Sequence, residues 1–146
     1  NAQACTPTMF NYATHADNGS MFNTPPCWCI YVLGLVLDYL DEIGGLTEMQ
    51  KRNEYKAGIL YDFIDQSSLF TNPVNKECRS MMNVTFVTGS NELDEKFCKQ
   101  ATAAGFVSIK GHRSVGGMRA SIYNAMPLED VEKLIEFMKK FEEQNK

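Results

Sequence analysis

With 146 residues, 44% of them hydrophobic and 22% charged, the chain is long enough to bury an ordinary core and too rich in apolar side chains to be disordered. Its net charge of −4 excludes a general nucleic-acid or membrane-surface binder, since either needs a basic face to meet phosphates. Five cysteines at positions 5, 27, 29, 78 and 98 make no disulfide framework at this size and fit reduced thiols in the cytoplasm.

Residues 1–22 are small and polar with no sustained period, and are predicted to be loop. From Cys27 to Leu37 the chain is almost wholly apolar, with Pro25-Pro26 in front and Gly44-Gly45 behind, which predicts a helix closed by Asp38, Asp41 and Glu42. It is too short to cross a membrane, which takes roughly 20 residues. A helix apolar all round must be covered, by a second subunit or by another domain. Cys27 and Cys29 face nearly opposite sides of it, and with only His15 and His112 to complete a set they make no metal site. Thr24 is the predicted N-cap, placing Asn23 and Thr24 at the positive helix end. That position suits an ordinary cap and suits a bound anion, although Pro25 and Pro26 supply no N–H.

Thr47 and Gln50 form a capping-box pattern that opens a helix from about Glu48 to Gln66, with Tyr55, Ile59, Phe63 and Ile64 near one face and Gly58 weakening the middle. Thr71-Asn72-Pro73 ends it and sets a boundary between residues 1–72 and 73–146. Beyond it, Met82, Val84 and Phe86 alternate as in a strand. Asn91 to Ala104, closed by Gly105, reads as a helix with Leu93, Phe97 and Ala101 inward. Strands are expected at 106–110 and 118–123. A last helix follows Pro127, with Val131, Leu134, Ile135, Met138 and Phe141 at helical spacing and Glu129/Lys133 and Glu136/Lys140 as solvated pairs. The order β-α-β-β-α predicts an α/β fold, a small sheet with helices on one face.

The stretch from Gly111 to Asn124 carries most of the chemistry, because His112, Arg113 and Arg119 flank Gly116-Gly117 in an otherwise acidic chain. Each guanidinium presents a planar fork that matches a carboxylate or phosphate, so two of them six residues apart suit the two ends of one small dianion. His112 adds a donor whose charge can follow the ligand. The same residues also suit a hairpin whose arginines are simply solvated.

That stretch resembles the C-terminal signature of the phosphoserine aminotransferases, which are class-V, pyridoxal-phosphate-dependent enzymes. Asn23-Thr24-Pro25-Pro26, Ile30 to Asp38, Gly44-Gly45-Leu46, Leu60 to Asp65, Asn72-Pro73-Val74, Arg79 to Phe86 and Met126 to Val131 resemble further blocks of the family, in its order and at its approximate spacing. The resemblance implies the C-terminal part of a fold-type-I aminotransferase: residues 1–72 as the end of the large domain, with a dimer-interface helix and a connecting helix, and residues 73–146 as a small β-α-β-β-α domain. It implies pyridoxal 5′-phosphate as cofactor, with Asn23 and Thr24 reaching its phosphate across a homodimer. Arg119 would bind the substrate α-carboxylate, and His112 and Arg113 the distal anion of L-glutamate, phosphoserine or phosphohydroxypyruvate.

None of the ten lysines stands in a context resembling the family's Schiff-base lysine, so no catalytic residue is expected in this chain, and the chain alone is expected to be inactive. An initial Asn fits a fragment. No metal, nucleic-acid or membrane partner is implied, and the setting expected is cytoplasmic. A stand-alone regulatory domain binding a small ligand such as an amino acid is the alternative. An RNA-binding α/β domain is disfavoured by the acidic balance and by strands without surface aromatics.

Overall fold

A computed structural model describes residues 2–145. The chain forms two compact units, Asn1–Ile43 and Gly44–Lys146.

In the first unit the segment predicted as loop contains a 3-10 turn at Thr8–Phe10 and a five-residue helix, α1 (Tyr12–Ala16). The Asn11 side chain starts α1 by accepting from the Ala13 amide at 3.1 Å. Helix α2 runs Cys27–Glu42 over 16 residues, so Asp38, Asp41 and Glu42 form its C-terminal end. Its N-cap is Pro26, with no side-chain cap bond, which corrects the expectation for Thr24. The cause is the two prolines. A Thr24 hydroxyl would have to accept from the amides of residues 26 and 27; Pro26 has none, and the Cys27 amide donates to the Pro25 carbonyl at 2.8 Å. No residue of α2 is buried, and Trp28 is 74% exposed. No helix among the described residues is long and apolar enough to cross a membrane.

The second unit opens with α3 (Gly45–Gln66). It begins three residues ahead of Glu48, capped by Gly44 at φ 104° without a side-chain bond. Only glycine takes that left-handed turn without strain. Thr47 is therefore already wound into the helix and caps nothing, while Gln50 donates to Glu54 at 2.6 Å. The buried face is Met49, Asn53, Lys56, Ala57, Leu60 and Ile64. Tyr55 is 59% exposed and lies off it, with Ile59 and Phe63 at its margin. Asn53 and Lys56 hold this inward position through the donors they place, although Asn53 Oδ1 is buried without a partner. The Lys56 ammonium donates to the Tyr123 and Met126 carbonyls at 2.8 and 2.9 Å, and Asn53 Nδ2 donates to Asn124 Oδ1 at 2.8 Å. Burial pushes the Lys56 ammonium below its usual pKa. Gly58 leaves the helix unbroken.

After a short turn at Lys76–Cys78 come β1 (Asn83–Phe86), α4 (Asn91–Ala103), β2 (Met118–Ser121) and α5 (Leu128–Gln144). The two strands pair antiparallel, Asn83 with Ser121 through Phe86 with Met118. Val84, Phe86, Met118 and Ala120 are buried, in one core with α3, α4 and α5. The strand expected at 106–110 is reduced to one bridge, Lys110 with Met118, flanked by bonds from Arg119 N–H to Ile109 O and from Gly111 N–H to Gly117 O. Ser108 sits at φ 58°, a left-handed residue that breaks the extended run ahead of the bridge. The observed order is thus β-α-β-α with a bridge, in place of β-α-β-β-α. Helix α5 buries all five predicted residues, although Lys133 pairs with Asp130 at 2.8 Å, not with Glu129. Helix α3 lies against α5 and β1, within the unit that begins at Gly44.

At the end of α3, Arg79 grips Asp65 with both guanidinium nitrogens at 2.9 and 2.7 Å, Lys76 adds a contact at 3.0 Å, and Arg79 lies 4.8 Å from the centre of the Tyr61 ring. The Arg79 and Lys76 bonds hold the Asp65 carboxyl well below the usual carboxylate range. A depressed folded pKa means that the stabilisation is present above the unfolded value, about 4, and is lost as pH falls below it. Asp65→Asn is expected to cost about 1 to 2 kcal/mol at neutral pH, since the pair is bidentate but partly solvated. Urea unfolding should show that cost shrinking at about pH 3. An equal cost at both pH values would rule out the ion pair as its source.

Candidate functional site

Strand alternation sends Met118 and Ala120 into the core and leaves Arg119 and Ser121 on the other face, beside Asn83 and Thr85. That face is polar and ordered. Ser121 Oγ and the Tyr123 hydroxyl both donate to Asn83 Oδ1, at 3.1 and 3.3 Å, and Asn72 Nδ2 donates to the Thr85 carbonyl at 2.7 Å. Arg119 is half-buried there. Its Nε is buried without a hydrogen-bond partner, and no ion pair among the described residues engages it. A half-buried guanidinium that joins no ion pair keeps donors available for an anion.

His112 and Arg113 stand on the loop that joins the Lys110 bridge to β2, and both are exposed. The loop is closed by its own backbone. The Gly111 amide donates to the Gly117 carbonyl at 2.8 Å, and the His112 carbonyl accepts from the Val115 and Gly116 amides at 2.9 and 2.8 Å. Glycine is required at both ends. A Cβ on Gly111 would collide with the Gly116 carbonyl oxygen; one on Gly117, at φ 63°, would come within 2.6 Å of Val87 Cγ1. Inside the loop His112 Nδ1 meets Ser114 Oγ at 2.7 Å and the Ser114 amide at 3.3 Å.

Of His112, Arg113 and Arg119, Arg119 lines one of the two pockets beside β2. Arg119 lines a cavity of about 360 Å³ with Phe106, Ile109, Ile122 and Leu134, whereas a groove beside α4 reaches Lys110, Gly116 and Gly117. Neither includes His112 or Arg113. Asn23 and Thr24 belong to the first unit, exposed just ahead of α2, where Asn23 Nδ2 donates to the Thr24 carbonyl at 3.1 Å. Since Pro26 takes the cap position, the Thr24 hydroxyl is not consumed in capping. No group of three or more His, Cys, Asp or Glu residues suited to a metal occurs among the described residues.

Sequence reasoning missed two supports of this site. Lys56 and Asn53 hold the turn that follows β2, and their polarity on an otherwise apolar helix face was the available signal. Ser114 contacts His112 from two positions along the chain, a spacing at which serine commonly turns back on its neighbours.

The class-V aminotransferase family matches residues 3–134. The phosphoserine aminotransferase of Streptococcus suis is 57% identical over 99% of this chain and 40% of its own length. Among solved structures, phosphoserine aminotransferase from Bacillus circulans subsp. alkalophilus superposes with a TM-score of 0.93 at 45% identity, over 100% of this chain and 41% of that one. PLP-bound phosphoserine aminotransferase from Trichomonas vaginalis superposes with a TM-score of 0.86 at 36% identity, over 95% of this chain and 40% of that one. The chain spans about 40% of the length of these relatives.

The glycine at the base of the loop gives a direct check. Gly111→Ala forces the loop backbone apart and is expected to cost about 1 to 3 kcal/mol. Amide exchange should accelerate across residues 111–117 while β1 and β2 stay protected. Gly58→Ala, with open space around the new methyl, serves as control and should be neutral or stabilising by up to about 1 kcal/mol. Equal behaviour of the two variants would refute the steric argument.

Proposed function

Because the chain belongs to the class-V aminotransferase family, we propose that it is the C-terminal part of a cytoplasmic phosphoserine aminotransferase of serine biosynthesis. The reaction moves an amino group from L-glutamate to 3-phosphohydroxypyruvate, giving 2-oxoglutarate and O-phospho-L-serine. Residues 1–72 then end the large domain and residues 73–146 form the small one. The observation that carries this reading is Arg119, a half-buried guanidinium with unspent donors on the polar face of the sheet, six residues after Arg113.

When bound, pyridoxal 5′-phosphate supplies the electron sink that makes the amino-acid Cα–H bond breakable. The residues present fit the phosphate of that group. Asn23 and Thr24 keep exposed side chains at the positive end of a 16-residue helix, where first-turn amides have no intrahelical acceptor. Arg119 binds the substrate α-carboxylate and so fixes where Cα stands. Arg113 and His112 bind the distal group, a guanidinium and an imidazole being donors that suit either a tetrahedral phosphate or a planar carboxylate. No lysine here takes the proton-moving role. Lys56, 4% exposed, spends its ammonium on two backbone carbonyls.

A homodimer completes the reading. Trp28, Tyr31, Leu33, Leu35 and Leu37 are exposed along α2, an apolar surface that a second copy would cover. Asn23 and Thr24 would then serve the partner's site.

In the complete enzyme Arg119→Ala is expected to lower kcat/KM roughly 30-fold to 1000-fold for both substrates, a loss of about 2 to 4 kcal/mol in transition-state binding. Arg113→Ala should affect phosphoserine and glutamate unequally, since their distal groups differ in charge and shape. Unchanged kcat/KM in Arg119→Ala would remove the assigned role. The trans arrangement is tested by mixing subunits that lack the cofactor-bonding lysine with subunits carrying Asn23→Ala and Thr24→Ala. Activity should rise above either parent, because each heterodimer holds one intact site. No recovery, with exchange confirmed by mass, would place the clamp within its own chain.

A further inference from the structure

We propose that Ser114 is a positioning residue for His112, fixing which ring nitrogen of the imidazole faces a ligand; the inference rests on the substrate-binding role given to His112 above. The Ser114 amide lies 3.3 Å from His112 Nδ1, and an amide N–H can only donate. In the neutral ring Nδ1 is therefore the acceptor and the proton resides on Nε2. The Ser114 hydroxyl, at 2.7 Å from the same nitrogen, donates there too and is the closer of the two contacts. Among the described residues no hydrogen bond engages Nε2. The one donor of the neutral ring is thus left for an incoming anion, while the nitrogen that would repel that anion is occupied.

The same contacts fix the ring plane. His112 is exposed, so without those contacts the ring would sample several orientations and both tautomers. Ser114 sits in a loop whose backbone closes through Gly111 and Gly117, and it is itself exposed. Its side chain can be changed without disturbing the core. The distal anion of the substrate, phosphate or carboxylate, is the group expected to gain, because Arg119 serves the other end.

The test has a spectroscopic arm and a kinetic arm. The chain contains two histidines, His15 and His112. Long-range proton–nitrogen spectra of the histidine-labelled chain at alkaline pH should show His112 as the Nε2–H tautomer, beyond the ratio found in free histidine. Ser114→Ala removes the closer hydroxyl contact and leaves the amide, so it should move His112 part of the way toward that free ratio; Ser114→Thr should preserve the ordered state, and His15, whose Nε2 is tied to the Met9 carbonyl at 2.8 Å, should not change. A His112 spectrum equal to free histidine in the unmodified chain, or one unaltered by Ser114→Ala, overturns the proposal. In the complete enzyme Ser114→Ala should raise KM for O-phospho-L-serine about threefold to tenfold, the worth of one hydrogen bond, with kcat within about twofold and recovery in Ser114→Thr. An altered tautomer with unchanged KM overturns the coupling of Ser114 to the substrate. If Arg119→Ala is then also without effect, the failure lies in the transamination reading and not in Ser114.

Discussion

Phe97 meets Phe70, Phe86, Phe137 and Phe141 edge to face, with ring centroids 5.1 to 5.6 Å apart, and the second unit is arranged around that contact. The five rings come from α4, the segment after α3, β1 and α5. Each edge-to-face pair adds about 0.5 to 1.5 kcal/mol beyond the area it buries and prefers one geometry. The cluster therefore sets orientation as well as cohesion. Phe86 is the link to function, since it brings β1 into the cluster and β1 carries β2 by its register.

That register decides the fate of Arg119. Phe86 opposite Met118 and Thr85 opposite Arg119 put a core residue and a guanidinium on opposite faces. A slip of one residue would bury the charge and expose the methionine. Burying an unpaired guanidinium is expensive enough to exclude the slipped state. The far end of β2 is held separately by Lys56 and Asn53, whose bonds to residues 123, 124 and 126 fix the turn into α5. Two polar residues on an apolar helix face thus make contacts that an aliphatic pair could not, Lys56 to the backbone of a neighbouring turn and Asn53 to the Asn124 side chain.

Periodicity made α4 and α5 legible, since a single strong stripe of apolar residues decides a helix and its buried face. Where reading failed, backbone chemistry overrode side-chain pattern. Thr24 and Thr47 both look like caps, yet the proline at position 26 lacks the amide a cap needs, and Gly44 starts α3 before Thr47 is reached. The strand at 106–110 has the right composition, but Ser108 adopts a left-handed conformation that composition does not announce. At the site, charge and glycine content were enough to single out His112, Arg113 and Arg119 as anion-binding candidates. Their arrangement was not readable, because it depends on loop closure between Gly111 and Gly117 and on a serine turned back on a histidine.

The loop at 111–117 separates shape from chemistry. Its closure uses main-chain groups and two glycines that tolerate no side chain, so apart from Gly116 at φ 80° the positions between them contribute no side chain that the curve of the chain requires. Substitution at 113 to 115 can then change what the loop attracts while its outline persists. Ligand preference in such a loop can drift one residue at a time at little cost in stability, whereas a side chain added at either end must first displace the Gly116 carbonyl or Val87.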